Sequence, residues 1–448
     1  MNTIKEINDF VNGIVWGVPL MVLIIITGMY FTIRLGFLQF VKPGLLFRET
    51  IIKAFKKKQE EKTAPGELSS FQAAMTSVSA IVGSGNIAGV ATAIVLGGPG
   101  ALVWMILAAL IGGASKFAEI ALGIKYREFN EDGSVRGGAM YYLANGLKQK
   151  WLGILFSVLV IPFAFVISGV VDSNTISDTL FQQFSIPTWV TGLILAVVTG
   201  IIIIGGVKRI GYACAVIAPF MGGAYLLAGI LIIVLHIGQV PAAFALIIKS
   251  AFNPAAMTGG AVGSIFVCMR YGIARGVYSN EAGLGTAAMV HCGAKVSHPI
   301  EQAVWGPVET FLDTVLVCTI SGLTIVLSGL YNTGLDGANL TVEAFDYLLP
   351  GVGRIVGLGS VILFGFSCLI SYYNYVEQAT SYIFGEKCRF IVKALWIITI
   401  LVGSQTTLGF VWDLADTFNG LMIIPNLIGI LLLSNEVVAL KKEYFGKH

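Results

Sequence analysis

Long apolar runs set the terms for this chain. They fall at roughly 12–33, 69–96, 101–124, 151–182, 188–206, 211–238, 261–291, 301–330, 353–384, 391–409 and 411–434. Each approaches or exceeds the ~20 residues a helix needs to cross the hydrocarbon of a bilayer. Only 12% of the 448 residues are charged and 56% are hydrophobic, whereas a soluble domain carries about 25% charged residues. Too few charges remain to coat such a core, so lipid must be the solvent. In lipid every backbone polar group has to be satisfied internally, and helices do this within one segment. Abundant apolar surface and a net charge of only +3 also exclude disorder. The expectation is an all-α polytopic membrane protein with about eleven transmembrane helices. The N-terminal MNTIKEINDF lacks the basic region and cleavage site of a secretion signal, so the first run is expected to be retained.

Basic residues fall in alternate loops. Lys53, Lys56, Lys57 and Lys58 follow the first run, Lys125, Arg127 and Arg136 the third, and Lys208 and Arg209 the fifth. Lys295, Lys387, Arg389, Lys441 and Lys442 continue the pattern, while 97–100, 183–187 and 331–352 are poor in Lys and Arg. The positive-inside rule then puts the N-terminus outside and the C-terminus in the cytoplasm of a multi-pass cell-membrane protein. The segment Phe47 to Lys62 reads either as an interfacial helix or as a solvated linker.

A weak internal repeat organises the spans. NIAGVATA at 86–93 matches NEAGLGTA at 280–287, and KFAEIAL at 116–122 matches TFLDTVL at 310–316, both at an offset of 194. Phe117 pairs with Phe311, Glu119 with Asp313 and Leu122 with Leu316. By the span count residue 86 lies in an outward-running span and residue 280 in an inward-running one. The reading is therefore a 5+5 inverted repeat in one transporter domain, 1–448. It has an extra span over 12–34, a first repeat over 69–238 and a second over 261–434. Inverted halves mark secondary transporters that work by alternating access.

The second run contains Gly83-Ser84-Gly85-Asn86 and then Gly89. Glycine costs about 1 kcal/mol relative to alanine inside a helix, and Ser and Asn compete for backbone hydrogen bonds. Local unwinding would free amides suited to a carboxylate and carbonyls suited to Na⁺ or an ammonium group. The competing reading is a small-residue packing groove, because Gly85-x-x-x-Gly89 is also a helix-contact motif. No Walker-type GxxxxGK[ST] occurs, so ATP-driven pumping has no support. Cys214, Cys268, Cys318 and Cys368 sit in apolar runs without CxxC spacing and read as packing residues. His291, Cys292 and His298 lack a fourth ligand at zinc-finger spacing.

GSGNIAGVATAI, GGPGALVWMILAALIG at 97–112 and SNEAGLGTA at 279–287 together resemble the alanine/glycine:cation symporter family, with Val103 and Ile106 where bulkier aromatics are usual. The resemblance implies a LeuT-type fold, Na⁺ coupling and alanine or glycine as substrate. More remotely, 79–119 is similar to the first core helices of neurotransmitter:sodium symporters. That likeness implies substrate contacts from Gly83, Ser84, Gly85 and Asn86, with room beside Gly83 for the substrate carboxylate. It places Ser168 beside the substrate on span 4, together with Ala164, Phe165 and Gly169. It also implies a first Na⁺ ligated by Asn86 and a second held by the carbonyls of Ser79 and Val82 with Ser367 and Ser371. In span 7 the repeat puts a break near Ser279 and Asn280, and the remote likeness puts it near Met269 to Gly272.

Ionisable residues at bilayer depth cost roughly 2.5–3.5 kcal/mol each and face cavities or partners. Glu119, Asp172, Arg270, Arg275, Glu281, Glu309, Asp313 and Glu377 qualify. Glu119 and Asp313 read as braces for broken-helix amides, Asp172 and Glu281 as influences on cation or proton binding, and Arg270 as a gate. The expected function is a sodium-coupled symporter of alanine and glycine, with a proton-coupled transporter on the same fold as the alternative. A channel is disfavoured by the paired breaks, and an intramembrane enzyme by the absence of HExxH and GxSxG. Membrane lipid is the expected surrounding, with no nucleic-acid or obligate protein partner.

Overall fold

The computed structural model describes residues 2–53, 67–130, 133–252, 265–406 and 409–446. The expected surface segment from Phe47 to Lys62 therefore lies largely outside the described residues. Two helices open the chain, α1 (Asn2–Val15) and α2 (Val18–Arg34), bent by 41° at their junction. A broken helix follows, α3 (Ser70–Ile81) and α4 (Gly85–Gly97), whose halves are bent by 44°. Then come α5 (Ala101–Lys125), α6 (Lys150–Phe184), α7 (Thr188–Ile204), α8 (Gly206–Leu235) and α9 (Val240–Phe252). The order continues with α10 (Ile265–Asn280), α11 (Thr286–His291), α12 (Pro299–Ser328), α13 (Gly337–Leu348) and α14 (Val352–Phe384). It ends with α15 (Arg389–Gly403), α16 (Gly409–Leu432) and α17 (Ser434–Phe445). A short hairpin, Glu128–Phe129 with Val135–Arg136, follows α5. Among the described residues six helices are long and apolar enough to cross a membrane, or up to eight if each bent pair is one span.

The ends of α3 and α10 explain much of the architecture. Ser69 caps α3 by accepting from the Gln72 amide, while the Gln72 side chain accepts from the Ser69 amide, a reciprocal arrangement that satisfies two orphan donors. At the far end helical geometry stops at Val82, whose ψ of 87° leaves the helical region. In contrast, α10 runs unbroken through Met269 and Gly272 and stops after Asn280. Glu281, Gly283 and Gly285 then take φ values of 55°, 93° and 84°. A break near Met269 to Gly272 is thus corrected. Gly272 is there for packing, since a Cβ would sit 2.5 Å from the Ala101 carbonyl oxygen on α5.

Helices α3, α4, α10 and α11 occupy the centre, wrapped by α5, α8, α12 and α14. The centre is where polar and charged side chains are fully buried. The outer faces of α7, α8, α14 and α15 expose Ile194, Ile201, Phe220, Leu227, Ile355 and Phe390. Large apolar side chains facing outward and charges facing inward are the reverse of a soluble protein's pattern and suit a lipid surround.

Candidate functional site

At the first break the Gly83 amide donates to Asn86 Oδ1 at 2.8 Å. Asn86 thereby caps the loose turn with its own side chain. Its Nδ2 donates to Asp313 Oδ1 at 2.6 Å and approaches Cys318 Sγ at 3.2 Å. Asp313 Oδ2 accepts from Ser279 at 2.9 Å and Thr314 at 2.7 Å. Asn280 Nδ2 donates to the same Thr314 hydroxyl at 3.0 Å, and its Oδ1 accepts from the Ala282 amide. One carboxylate from α12 therefore ties the first break to the residues that precede the second.

The second break is held through Asn426, which also reaches Glu119 and Tyr142 from earlier in the chain. Asn426 Nδ2 donates both to Glu119 Oε1 at 2.7 Å and to the Gly283 carbonyl at 2.8 Å. Its Oδ1 accepts from Tyr142. Glu281, inside the break, accepts from Thr286 at 2.6 Å, Tyr375 at 2.9 Å and Tyr372. Asp313 thus bonds Asn86 at the first break directly, and Glu119, matched to it at the 194-residue offset, is linked to the second through Asn426.

Wide-wound π-turns cover Gly85–Gly89, Phe165–Asp172 and Phe311–Cys318; such turns are frequent at functional sites. They supply Asn86, Asp172 and Asp313 to the same central region. Ser84 donates to Asp172 Oδ1 at 2.5 Å. Ser79 Oγ, Ser168 Oγ, Asp172 Oδ2 and Tyr278 OH are all buried with no hydrogen-bond partner among the described residues. Buried polar groups of this kind ordinarily meet ordered water, an ion or a ligand. Nearby, the Ser79 carbonyl accepts from Ser367 at 3.1 Å and Cys368 at 3.4 Å, and Ser371 donates to the Ser367 carbonyl. Ser79, Ser367 and Ser371 are therefore brought together, next to Val82 at the end of the half-helix. Hydroxyl and carbonyl oxygens are hard donors of the kind an alkali cation takes.

Gly83 is packed differently from the expectation of open room beside it. A Cβ there would meet Cys368 Sγ at 2.2 Å, so the thiol fills that space. Gly85 lies against Tyr278, whose ring would be 3.1 Å from an added Cβ. Met269 and Gly272 stay within α10 and are not brought to the break.

Two buried ion-pair systems flank the centre. Arg275 makes paired 2.8 Å bonds to both oxygens of Asp416 and stacks against Tyr278 and Trp412. Of the two arginines, Arg275 is thus the one paired with an acid. Arg270 instead reaches Asn12 on α1 at 3.1 Å. On the other flank Lys116, fully buried, donates to the Asn280 carbonyl at 3.1 Å and pairs with Glu309 at 3.0 Å. Glu309 also accepts from Ser77 and lies 2.9 Å from His291 Nε2. Just beyond α5, burial and the nearby Glu436 push the Tyr126 phenol up to about 12, so it stays a donor to that carboxylate.

Sequence reasoning missed Lys116, Cys368, Tyr372, Tyr375, Asp416 and Asn426. Lys116 and Asp416 carried a usable signal, a charge in an otherwise apolar run. Cys318 and Cys368, read as packing residues, also contribute their thiols to the central hydrogen bonds.

The sodium:alanine symporter family model matches residues 1–448. The chain is 42% identical over 99% of its length, and 98% of the other's, to the sodium/alanine symporter AgcS of Methanococcus maripaludis. It is 37% identical over 97% of its length, and 92% of the other's, to a putative sodium/proton-dependent alanine carrier, YrbD, of Bacillus subtilis. Among solved structures it resembles MhsT crystallised with L-phenylalanine, at a TM-score of 0.60 and 17% identity, covering 82% of this chain and 89% of that one. The last likeness gives the fold, a LeuT-like arrangement of helices.

Proposed function

We propose that this chain, which belongs to the sodium:alanine symporter family and is a transporter rather than an enzyme, couples Na⁺ entry to uptake of alanine or glycine. The observation that carries this reading is the pair of cross-braced breaks around buried, unpartnered polar groups. Freed amides at Ser84 and Gly85 would receive the substrate carboxylate, as half-helix N-termini do. The oxygens of Ser79, Val82, Ser367 and Ser371 would take one Na⁺, and Asn86 a second. Asn86 Oδ1 already accepts from the Gly83 amide and has a second lone pair for a cation.

The same reading includes eleven spans in five-plus-five inverted halves, the N-terminus outside and the C-terminus in the cytoplasm. Element order supports it: a broken helix, two long helices, a shorter one and a final span occur in each half. Alternating access would rock the broken pair and its partners against the surrounding helices.

Alanine binding to purified protein, titrated with NaCl and with KCl at constant ionic strength, tests the proposal. Binding that requires Na⁺ and is competed by glycine is expected. A second reading, proton coupling on the same scaffold, draws on Glu119, Asp172 and Glu281, buried carboxylates with no ion-pair partner among the described residues. Equal binding in both salts, rising or falling with pH, would select it and reject Na⁺.

A further inference from the structure

We infer that Asp172 is the residue that recognises the α-ammonium group of the substrate. The inference rests on the amino-acid transport reading and deepens it. Asp172 lies on the π-turn of α6, 1% exposed. One carboxylate oxygen accepts from Ser84 at 2.5 Å. The other makes no well-aligned hydrogen bond among the described residues, although Ser168 and Cys368 lie beside the group, and no Lys, Arg or His pairs with it there. A carboxylate withdrawn from water without a countercharge is costly, so this group holds either a proton or a cation that comes and goes.

Its position selects which cation. Ser84 is the residue at the start of the second half-helix, where freed amides favour a carboxylate. An α-amino acid carries its ammonium one carbon away from its carboxylate. A zwitterion whose carboxylate sits on the Ser84 and Gly85 amides therefore has its ammonium within reach of the carboxylate that Ser84 already touches. Ser168, one helical turn before Asp172 and beside it, and Tyr278 from α10, beside Ser84, add two further buried oxygens. Three oxygens suit the three N–H donors of an ammonium group. The oxygens grouped around the Ser79 carbonyl and Ser367 offer Na⁺ a separate place.

The test compares wild type with Asp172→Asn, an isosteric change, using alanine and its des-amino analogue propionate as probes in NaCl. A thermal shift produced by NaCl alone reports folding and the cation sites. Wild type should bind alanine far more tightly than propionate. In the variant alanine affinity should fall roughly ten- to a hundredfold, the scale of one buried charge-assisted bond. The preference for alanine over propionate should collapse, while the shift caused by NaCl alone persists. Wild-type alanine affinity in the variant overturns the inference. So does loss of the NaCl shift in a variant that still melts cooperatively at the wild-type salt-free temperature, which would make Asp172 a sodium ligand. Wild type that binds no alanine in NaCl removes the transport reading itself.

Discussion

Exchanging the two groups at the centre of the first break gives the most demanding check on its geometry. Asn86 Nδ2 and Asp313 Oδ1 face each other at 2.6 Å, while Asn86 Oδ1 holds the Gly83 amide and Asp313 Oδ2 holds Ser279 and Thr314. Asn86→Asp keeps the oxygen that caps Gly83 but sets two acidic oxygens against each other. Stranding a buried charge in this way costs roughly 3–5 kcal/mol. Asp313→Asn replaces the acceptor by a second amide, and rotation of two hydroxyls limits its cost to about 1–2 kcal/mol. In N86D/D313N the amide at 313 donates to the carboxylate at 86, and its oxygen still accepts from Ser279 and Thr314. The double variant should therefore be more stable than N86D, with a coupling energy within the roughly 0.5–3 kcal/mol seen for contacting pairs. Melting of detergent-purified protein at one scan rate and one NaCl concentration gives the ranking, because membrane-protein melts depend on rate. If N86D melts with wild type, or if the double variant melts below N86D, the hydrogen-bond assignment is wrong.

Gly83→Ala should destabilise by about 1–3 kcal/mol through overpacking against Cys368 Sγ. G83A/C368A should recover, since the two Cβ atoms would then lie at an ordinary 3.7 Å, and a melt of the double variant no higher than G83A refutes the packing argument. Lys116→Met leaves Glu309 buried with His291 as its one remaining basic neighbour among the described residues, so a loss of roughly 3–5 kcal/mol is expected; an unchanged melt would mean that the pair contributes nothing. Ser279→Ala removes the 2.9 Å link from Asp313 to α10, and the factor by which Na⁺ raises alanine affinity should shrink; an unaltered factor in paired titrations counts against coupling through that bond.

What could be read in the sequence follows from the range of each signal. Hydropathy marks spans because each is a local run, and Gly83 to Asn86 announce a break because backbone propensity is local as well. The 194-residue register located the second break at Ser279 and Asn280, where α10 does end. The remote likeness put it near Met269 to Gly272, where the chain stays helical and Gly272 serves close packing on α5. The partners of the buried acids were hidden for another reason. Tyr372 bonds Glu281 across 91 residues and Asn426 bonds Glu119 across 307. An aromatic or an amide in a span has no sequence signature that names its partner. Cys368 illustrates the limit, since a thiol reads as apolar until the fold sets it against a broken helix.

The cross-bracing bears on how two solutes could share one movement. Asp313 holds Asn86 at the first break and Ser279 before the second, while Thr314 joins Asp313 to Asn280. On the opposite side Lys116 holds the Asn280 carbonyl and Asn426 the Gly283 carbonyl. A ligand that draws the Ser84–Asn86 turn inward must therefore strain or relax the end of α10 through the same carboxylate. Under the proposed reading, Na⁺ near Asn86 and an amino acid near Ser84 act on one shared network rather than on two hinges. Their coupling free energy is then a property of that network, and linkage requires it to be the same in either order of binding. Coupling energies of about 1–3 kcal/mol are typical, the scale of one or two buried hydrogen bonds to a charged group. The bonds at Asp313 are thus sufficient in number to carry it, without any long-range path through the surrounding helices.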